Sequence, residues 1–440
     1  MTRQDIIRIV EEQGIRFIRL QFTDIFGQLK NVTLTSSQLE RALNNQMTID
    51  GSSIEGYVRI EESDMRLFPD LSSFTILPWI PRHEGVARLI CDVHLHDGTP
   101  FVGDPRNVLK RAIQKAEAMG YSFNVGPECE FFLFQLTEDG KPTTHTGDEA
   151  SYFDMAPIDR GEGIRRDICL ALEAMGFEIE ASHHELAGGQ HEIDFKYADA
   201  LKTADNIMTF RLAVKTLARQ AGMHATFMPK PIFGVAGSGM HVNMSLFKNG
   251  KNIFDDPSGE RGLSREAYNF IAGLMKHVRG MTAVTNPLVN SYKRLVPGYE
   301  APCYLAWSSS NRSVLIRVPA SRGQTTRLEL RSPDPAANPY LALAVCLMAG
   351  LEGIEKDLTP PEEIAENLFD LSEEQRAARG IASLPGTLRE ALTAMEEDEL
   401  VMRTLGPHVA DKYIHGKKTE WEEYSTRVSS WEVDRYLLLY

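Results

Sequence analysis

Ile18, Leu20 and Phe22 alternate with Arg19 and Gln21, the period of two that makes a half-buried strand. The turn-forming stretch Asp24-Ile25-Phe26-Gly27 follows, and Leu29–Leu34 is the expected hairpin partner. Residues 4–13 before it carry amphipathic helical spacing, and strand-like runs recur at Ser73–Leu77 and Val86–Val93. The N-terminal part of the chain therefore predicts a small, mostly β unit. Gly98 and Pro100 then mark a turn, and Asp104-Pro105 opens a helix with an N-cap acid and a proline in its first turn. That helix runs to about Met119 and stops at Gly120.

Beyond it the periods mix. Strands are predicted over Phe123–Leu136, Glu185–Phe195, Met240–Phe247 and Arg312–Val318, and helices over Ile164–Met175, Thr203–Ala221, Arg265–Thr282 and Pro339–Ile354. Thr387 to Glu390 reads as a capping box, and the Pro-Pro-Glu-Glu run at 360–363 as a surface loop. The pattern predicts an α+β chain of two domains, 1–102 and 103–440.

A length of 440 residues fits two domains better than one core. The formal net charge of −14 argues against nucleic acid as a partner. The five cysteines are scattered, with no CxxC pair, so neither a disulfide framework nor a thiolate zinc site is expected. The N-terminus has no apolar core of the signal-peptide kind. The longest apolar stretch, Tyr340 to Leu351, is too short to span a bilayer. A cytoplasmic setting is expected, with no membrane contact.

Candidate chemistry lies in acids and arginines rather than in a nucleotide fingerprint. The chain has neither GxxxxGK[ST] nor GxGxxG. Glu128 and Glu130 would share one strand face beside the apolar run Phe131–Phe134. Two buried carboxylates resist joint ionisation unless a cation sits between them, although a solvated edge would carry the same pattern. His183-His184-Glu185 and Gln190-His191-Glu192 flank a glycine pair that allows close backbone approach, and a plain polar hairpin would suit them too. His241, Asn243 and Ser245 fall on one strand face. So do Arg327, Glu329 and Arg331, where salt bridging within the row is the bland reading; Arg294, Arg312, Arg317 and Arg322 lie nearby in sequence. Guanidinium forks bind phosphate and carboxylate, and oxygen-rich ligands with one imidazole favour magnesium or manganese over zinc.

Longer motifs carry a resemblance. Asp50-Gly-Ser-Ser-Ile, Gly126-Pro-Glu-Cys-Glu, Ala225-Thr-Phe-Met-Pro-Lys-Pro, Gly237-Ser-Gly-Met-His, the run from Asn290 to Pro302, Asn311-Arg-Ser and the run from Pro333 to Leu341 resemble type I glutamine synthetases. The likeness runs from about residue 15 to the C-terminus, and Glu-Gly-Tyr-Val-Arg-Ile-Glu-Glu at 55–62 is similar to the short (alpha) subclass of low-GC Gram-positive bacteria. It implies an N-terminal β-grasp domain and a catalytic domain whose curved antiparallel sheet is flanked by helices. It implies ATP-dependent joining of ammonium to glutamate through γ-glutamyl phosphate, with at least two Mg2+ or Mn2+ ions per site. One ion would be held by Glu130, Glu185 and Glu192, the other by Glu128, His241 and Glu329. Arg294, Gly237, Glu300 and Arg331 match glutamate-site positions. Glu180, Asn243, Ser245, Arg312, Arg317 and Arg327 match the ATP side. Asp50, Ser53, Tyr152 and Glu185 match the ammonium site, Asp50 being lent by a neighbouring subunit. Asp50, Glu300, Arg312 and Arg331 match catalytic positions.

The resemblance further implies a homo-dodecamer of two hexameric rings, feedback inhibition by glutamine with Arg59 as the regulatory residue, and binding to MerR-type nitrogen transcription regulators. Phe369 stands where the other subclass carries an AMP-accepting tyrosine, Ala236 where the family often has asparagine, and Cys129 where proline is usual. The competing readings are a γ-glutamyl-polyamine synthetase-like ligase and a non-catalytic relative.

Overall fold

The computed structural model describes every residue except 55, 57–63 and 300. Two sheets organise the chain. The first contains β1 (Phe17–Thr23), β2 (Leu29–Thr35), β3 (Met47–Asp50), β4 (Asp64–Pro69), β5 (Thr75–Ile76) and β6 (Val86–Leu95), in the order β2-β1-β6-β4-β3 with β5 also on β6. β1 and β2 form the predicted antiparallel hairpin, while β1 runs parallel to β6. Ile18, Leu20, Leu67, Leu89 and Val93 point to one core with Ile6 and Val10 of the helix Arg3–Glu12. The expected strand at Ser73–Leu77 shrinks to β5. Asp70 accepts from the Ser72 N–H (3.0 Å) and caps a tight turn over Leu71–Ser73 instead.

The second sheet is larger. It comprises β7 (Ser122–Leu136), β8 (Pro142–Thr146), β9 (Ile179–His184), β10 (Gln190–Phe195), β11 (Ala198–Asp199), β12 (Met223–Thr226), β13 (Met240–Lys248), β14 (Lys251–Asn252), β15 (Trp307–Ser308), β16 (Ile316–Arg317) and β17 (Leu328–Leu330). Its path is β15-β16-β17-β13-β7-β10-β9, antiparallel apart from the β15–β16 pair. Two strand predictions need correction here. Glu185–Phe195 is not one strand: residues 185–189 form the turn between β9 and β10, with Gly189 at φ +69°. Arg312–Val318 supplies only β16, because Asn311 Oδ1 accepts from the Ser313 N–H (2.8 Å) and bends the chain before it.

Helices cover the outer side. Pro339–Glu355 is buried along nearly its whole length, which accounts for the apolar run Tyr340–Leu351 as a central core helix. Among the described residues no helix is long and apolar enough to cross a membrane. That helix presses against Arg265–Thr285 so closely that a Cβ on Gly273 would lie 2.1 Å from the Ala349 carbonyl oxygen. Thr387 caps its helix as predicted, accepting from the Glu390 N–H (3.2 Å), but Glu390 returns its bond to Gly386 rather than to Thr387. The first sheet is tied to the helices by Arg106, in the helix Pro105–Ala118, which pairs with Asp70 (2.6 Å) and Asp92 (2.6 Å) on one side and with Asp205 (2.9 Å) of the helix Ala200–Gln220 on the other.

Candidate active site

Strand register gathers the polar residues. β7 carries Glu128 and Glu130 on one face; β13 lays His241 opposite Glu128, and β10 lays Glu192 opposite Glu130. The row continues outward, with Glu329 of β17 opposite Asn243, Arg317 of β16 opposite Glu329, and His183 of β9 opposite Glu192. Side chains separated by as many as 113 positions, as Glu128 and His241 are, therefore become cross-strand neighbours.

Glu128, Glu130, His183, Glu192, His241 and Arg317 of this row line a cavity of about 610 Å3, with Tyr152, Glu185, Gly237, Arg294, Arg312 and Arg331 among the other lining residues. Ligand-type atoms of Glu128, His241 and Glu329 lie within 4.8 Å of one another, and so do those of His183, Glu185 and Glu192. Glu130 stands apart from both groups. One of its oxygens accepts from Gln190 Nε2 (2.8 Å) and the Gly239 N–H (3.0 Å). Glu329 is fully buried between Arg317 and Arg331, with His241 Nδ1 at 3.6 Å. Arg327 turns away from Glu329 and donates from Nε to Asn243 Oδ1 (3.0 Å). Arg294 is buried and held by the carbonyls of Ser332 (2.7 Å) and Arg331 (3.2 Å). A Cβ on Gly239 would fall 2.6 Å from Arg294 Nη2, so a side chain there would push that guanidinium aside.

The acids are crowded beyond what the protein's own cations neutralise. Burial, reinforced by the Glu130 charge, raises the Glu185 carboxyl to about 7. Burial, with Asp194 and Glu130 next, raises Glu192 well above the usual range. Burial also raises Glu130. Glu128 goes the other way: burial opposes its charge, but the His241 hydrogen bond (3.0 Å), the Asn243 amide (2.9 Å) and Arg331 outweigh it and hold it at about 2. An oxygen-rich donor set short of positive charge fits hard divalent cations.

The other predicted residues fall in two places. Asn243, Ser245, Arg327 and Glu180 sit on β13, β9 and the approach to β17, outside the lining of the cavity. Asp50 and Ser53 belong to β3 and the turn after it in the first sheet, likewise outside the lining. Glu300 and Arg59 lie outside the described residues. The histidine-rich segment divides: His183 faces the cavity, while His184 and His191 turn into a buried group with Asp148 and Asp159. Arg165 fills that group, donating to Asp159 (2.6 Å) and to His191 Nδ1 (2.9 Å), so a side-chain cation already balances it. Sequence reasoning missed Asp194, whose carboxyl burial lifts to about 6; it lies two past Glu192 on β10, and strand alternation alone would have found it. Tyr299 and Phe369 of the lining carried no comparable signal.

Known proteins agree with this architecture. Residues 14–96 match the family model described as "Glutamine synthetase, beta-Grasp domain", and residues 102–436 match "Glutamine synthetase, catalytic domain". A glutamine synthetase of Clostridium saccharobutylicum is 63% identical over 439 residues, covering 100% of this chain and 99% of that protein. One of Staphylococcus aureus is 59% identical over 440 residues with the same coverage. Among solved structures, a GmaS/ADP complex superposes with a TM-score of 0.89 at 34% identity, covering 98% of this chain and 99% of that one. The cryoEM structure of Plasmodium falciparum glutamine synthetase gives 0.88 at 26% identity, covering 99% of each chain. With its β-grasp unit, its curled sheet and full-length identity of this order, the chain belongs to the glutamine synthetase family.

Proposed function

We propose that the protein joins ammonium to the γ-carboxylate of L-glutamate at the expense of ATP, releasing glutamine, ADP and phosphate. The observation that carries this reading is the cross-strand row of carboxylates, one imidazole and arginines around a single cavity, in a chain related over its whole length to glutamine synthetases.

In the first step a glutamate γ-carboxylate oxygen attacks the γ-phosphorus of ATP and the bond to ADP breaks, giving γ-glutamyl phosphate. Arg312, Arg317 and Arg331 supply the positive field for the transferring phosphoryl group. Arg294, with Gly237 and Glu300, holds glutamate, while Glu180, Asn243, Ser245 and Arg327 serve the nucleotide. Glu128, His241 and Glu329 would hold one Mg2+ or Mn2+ ion, and Glu185 and Glu192, which lie together with His183, a second, a set to which the family resemblance adds Glu130. Bound divalent ions supply the charge that neutralises phosphate oxygens. In the second step ammonium, held by Glu185, Tyr152, Ser53 and Asp50, gives up a proton towards Asp50. Its nitrogen attacks the acyl carbon and expels phosphate.

Asp50 comes from a neighbouring copy in this reading, which agrees with its lying outside the cavity lining. The assembly is a dodecamer of two hexameric rings, and the C-terminal residues Leu437–Tyr440, each at least 69% exposed in the single chain, supply apolar surface for it. The domain division falls at 102/103. Glutamine inhibits the enzyme through Arg59, MerR-type regulators bind the inhibited form, and the setting is cytoplasmic. The identities of 63% and 59% to glutamine synthetases favour ammonia over a polyamine as the amine. Phosphate release measured with glutamate and ammonium, then with methylamine or putrescine in place of ammonium, tests the assignment. Faster turnover with either amine would overturn it.

A further inference from the structure

Glu363 ends the Pro-Pro-Glu-Glu run and lies outside the lining of the cavity, yet its side chain is only 11% exposed. One carboxylate oxygen accepts from the Ser308 hydroxyl (2.9 Å), the Ser309 hydroxyl (2.6 Å) and the Ser309 N–H. The other pairs with Arg261 Nε (2.6 Å). Burial opposes the charge of Glu363, but the Ser309 bonds, then Ser308 and Arg261, outweigh it and hold the carboxyl below the usual range. Ser308 is fully buried, and its oxygen in turn accepts from the N–H groups of Ser310 (3.2 Å) and Asn311 (3.2 Å). The carboxylate thus fastens the turn 308–311, immediately before Arg312. The neighbouring chain runs along the same turn. Trp307 Nε1 donates to the Pro361 carbonyl (2.7 Å), the Ile364 N–H to the Trp307 carbonyl (3.1 Å), Asn311 Nδ2 to the Glu366 carbonyl, and the Leu368 N–H to Ser313 Oγ (3.3 Å). Asn311, Arg312 and Ser313 line the cavity. Arg312 itself is exposed, so the fixed backbone on either side decides where its guanidinium starts.

We propose that Glu363 is a positioning residue for Arg312, fixing the turn 308–311 from behind so that the guanidinium meets the transferring phosphoryl group without rearrangement. The inference rests on the ligase reading above, in which Arg312 supplies positive charge to that group. Hydrogen bonds to an ionised carboxylate are stronger than neutral ones, and here three of them converge on one oxygen. Donors aimed at developing charge act most strongly when they are already in place. A shift of about 1 Å in such a group, caused by a change far from the chemistry, can cost about 100-fold in rate. Because Arg312 meets charge that develops in the transition state, a loosened turn lowers kcat rather than substrate binding.

The test measures kcat and the KM for glutamate and ATP, with ammonium and magnesium, in the full-length protein and in Glu363→Ala, Glu363→Gln, Arg312→Ala and the double variant Glu363→Ala with Arg312→Ala. Glu363→Ala should lower kcat by about 100-fold and leave both KM values within about threefold of the parent's. Glu363→Gln, whose amide oxygen still accepts from the serines, should recover most of kcat. Added to Arg312→Ala, Glu363→Ala should cost nothing further, because a residue that acts through another loses its effect once that other is gone. Parental kcat in Glu363→Ala, a rise in KM with kcat unchanged, or the same loss in both backgrounds would overturn the proposal. If Glu363→Ala fails to fold, Ser308→Ala, which removes the hydroxyl between Glu363 and the Asn311 N–H, takes its place. It should lower kcat by about tenfold in the parent and not at all beside Arg312→Ala, and no loss or an additive loss would overturn the proposal. A parent that makes no glutamine at all would instead remove the ligase reading.

Discussion

Glu329→Gln separates charge from shape at the centre of the site. Glu329 is fully buried, with Arg317 on one oxygen, Arg331 on the other and His241 Nδ1 at 3.6 Å. The amide keeps the volume but leaves two guanidinium groups facing each other with no anion between them. Breaking a buried ion pair from one side costs about 3–5 kcal/mol. Here Arg317 and Arg331 are 22% and 12% exposed at the edge of the cavity, which screens part of that cost. The expected destabilisation is therefore near the lower end, about 3 kcal/mol. The effect on metal use should be larger in relative terms. Changes to groups that merely support a metal ligand already weaken binding by about 10–100-fold, so loss of the ligand's charge should raise half-saturating magnesium by at least that much. Thermal melts with and without magnesium give the first quantity, and glutamine synthesis titrated with magnesium the second. A folded variant with parental turnover and parental magnesium dependence would refute the placing of Glu329 among the metal-holding groups.

Three further outcomes are expected. His277 bridges Glu352 (2.7 Å) and Asp398 (2.8 Å); burial opposes its charge, but those acids raise its pKa above 6.5, while Glu352, despite burial, is drawn to about 2 by Lys276, Lys356 and His277. The histidine's contribution is complete below about 6.5 and fades as pH rises through its folded value, and that of Glu352 is complete above about 4.5 and fades as pH falls towards 2. The stability gap between the parent and His277→Gln in urea melts should thus be widest near pH 5–6 and shrink as the pH rises beyond the ordinary histidine value of about 6.5; a flat gap would contradict the pairing. Gly273→Ala should destabilise the helix pair by about 1–3 kcal/mol or more, since its Cβ meets a backbone carbonyl at 2.1 Å, and an unchanged melt would show that the helices separate freely. If the proposed two-ring dodecamer holds, deleting residues 432–440 should release smaller species in light scattering, and an assembly of unchanged size would remove that role from the tail.

Much of the site could be read along the chain because strand alternation needs only local information. Glu128 and Glu130 share a face of β7 as period two predicts, and Arg331, just past β17, pairs with Glu329. The same rule hid the turn at 185–189, because polar residues on both sides of the glycine pair mimic one long strand. It also could not tell that Arg327 would choose Asn243 over Glu329, a choice made by the neighbouring strand. The fold's second layer was legible as a set of helices, but not the seam at Gly273, which depends on which helix arrives opposite. Glu363 and Ser309 are distant in sequence and meet only through tertiary packing, so neither residue announces the contact.

Glutamine formation by the purified protein, followed with ADP and phosphate in the same reaction, tests the central claim most directly. With glutamate, ATP, magnesium and ammonium the account predicts glutamine, ADP and phosphate in equal amounts, and no glutamine when ammonium or the divalent ion is withheld. Phosphate released without glutamine, or glutamine formed without ATP, would contradict it.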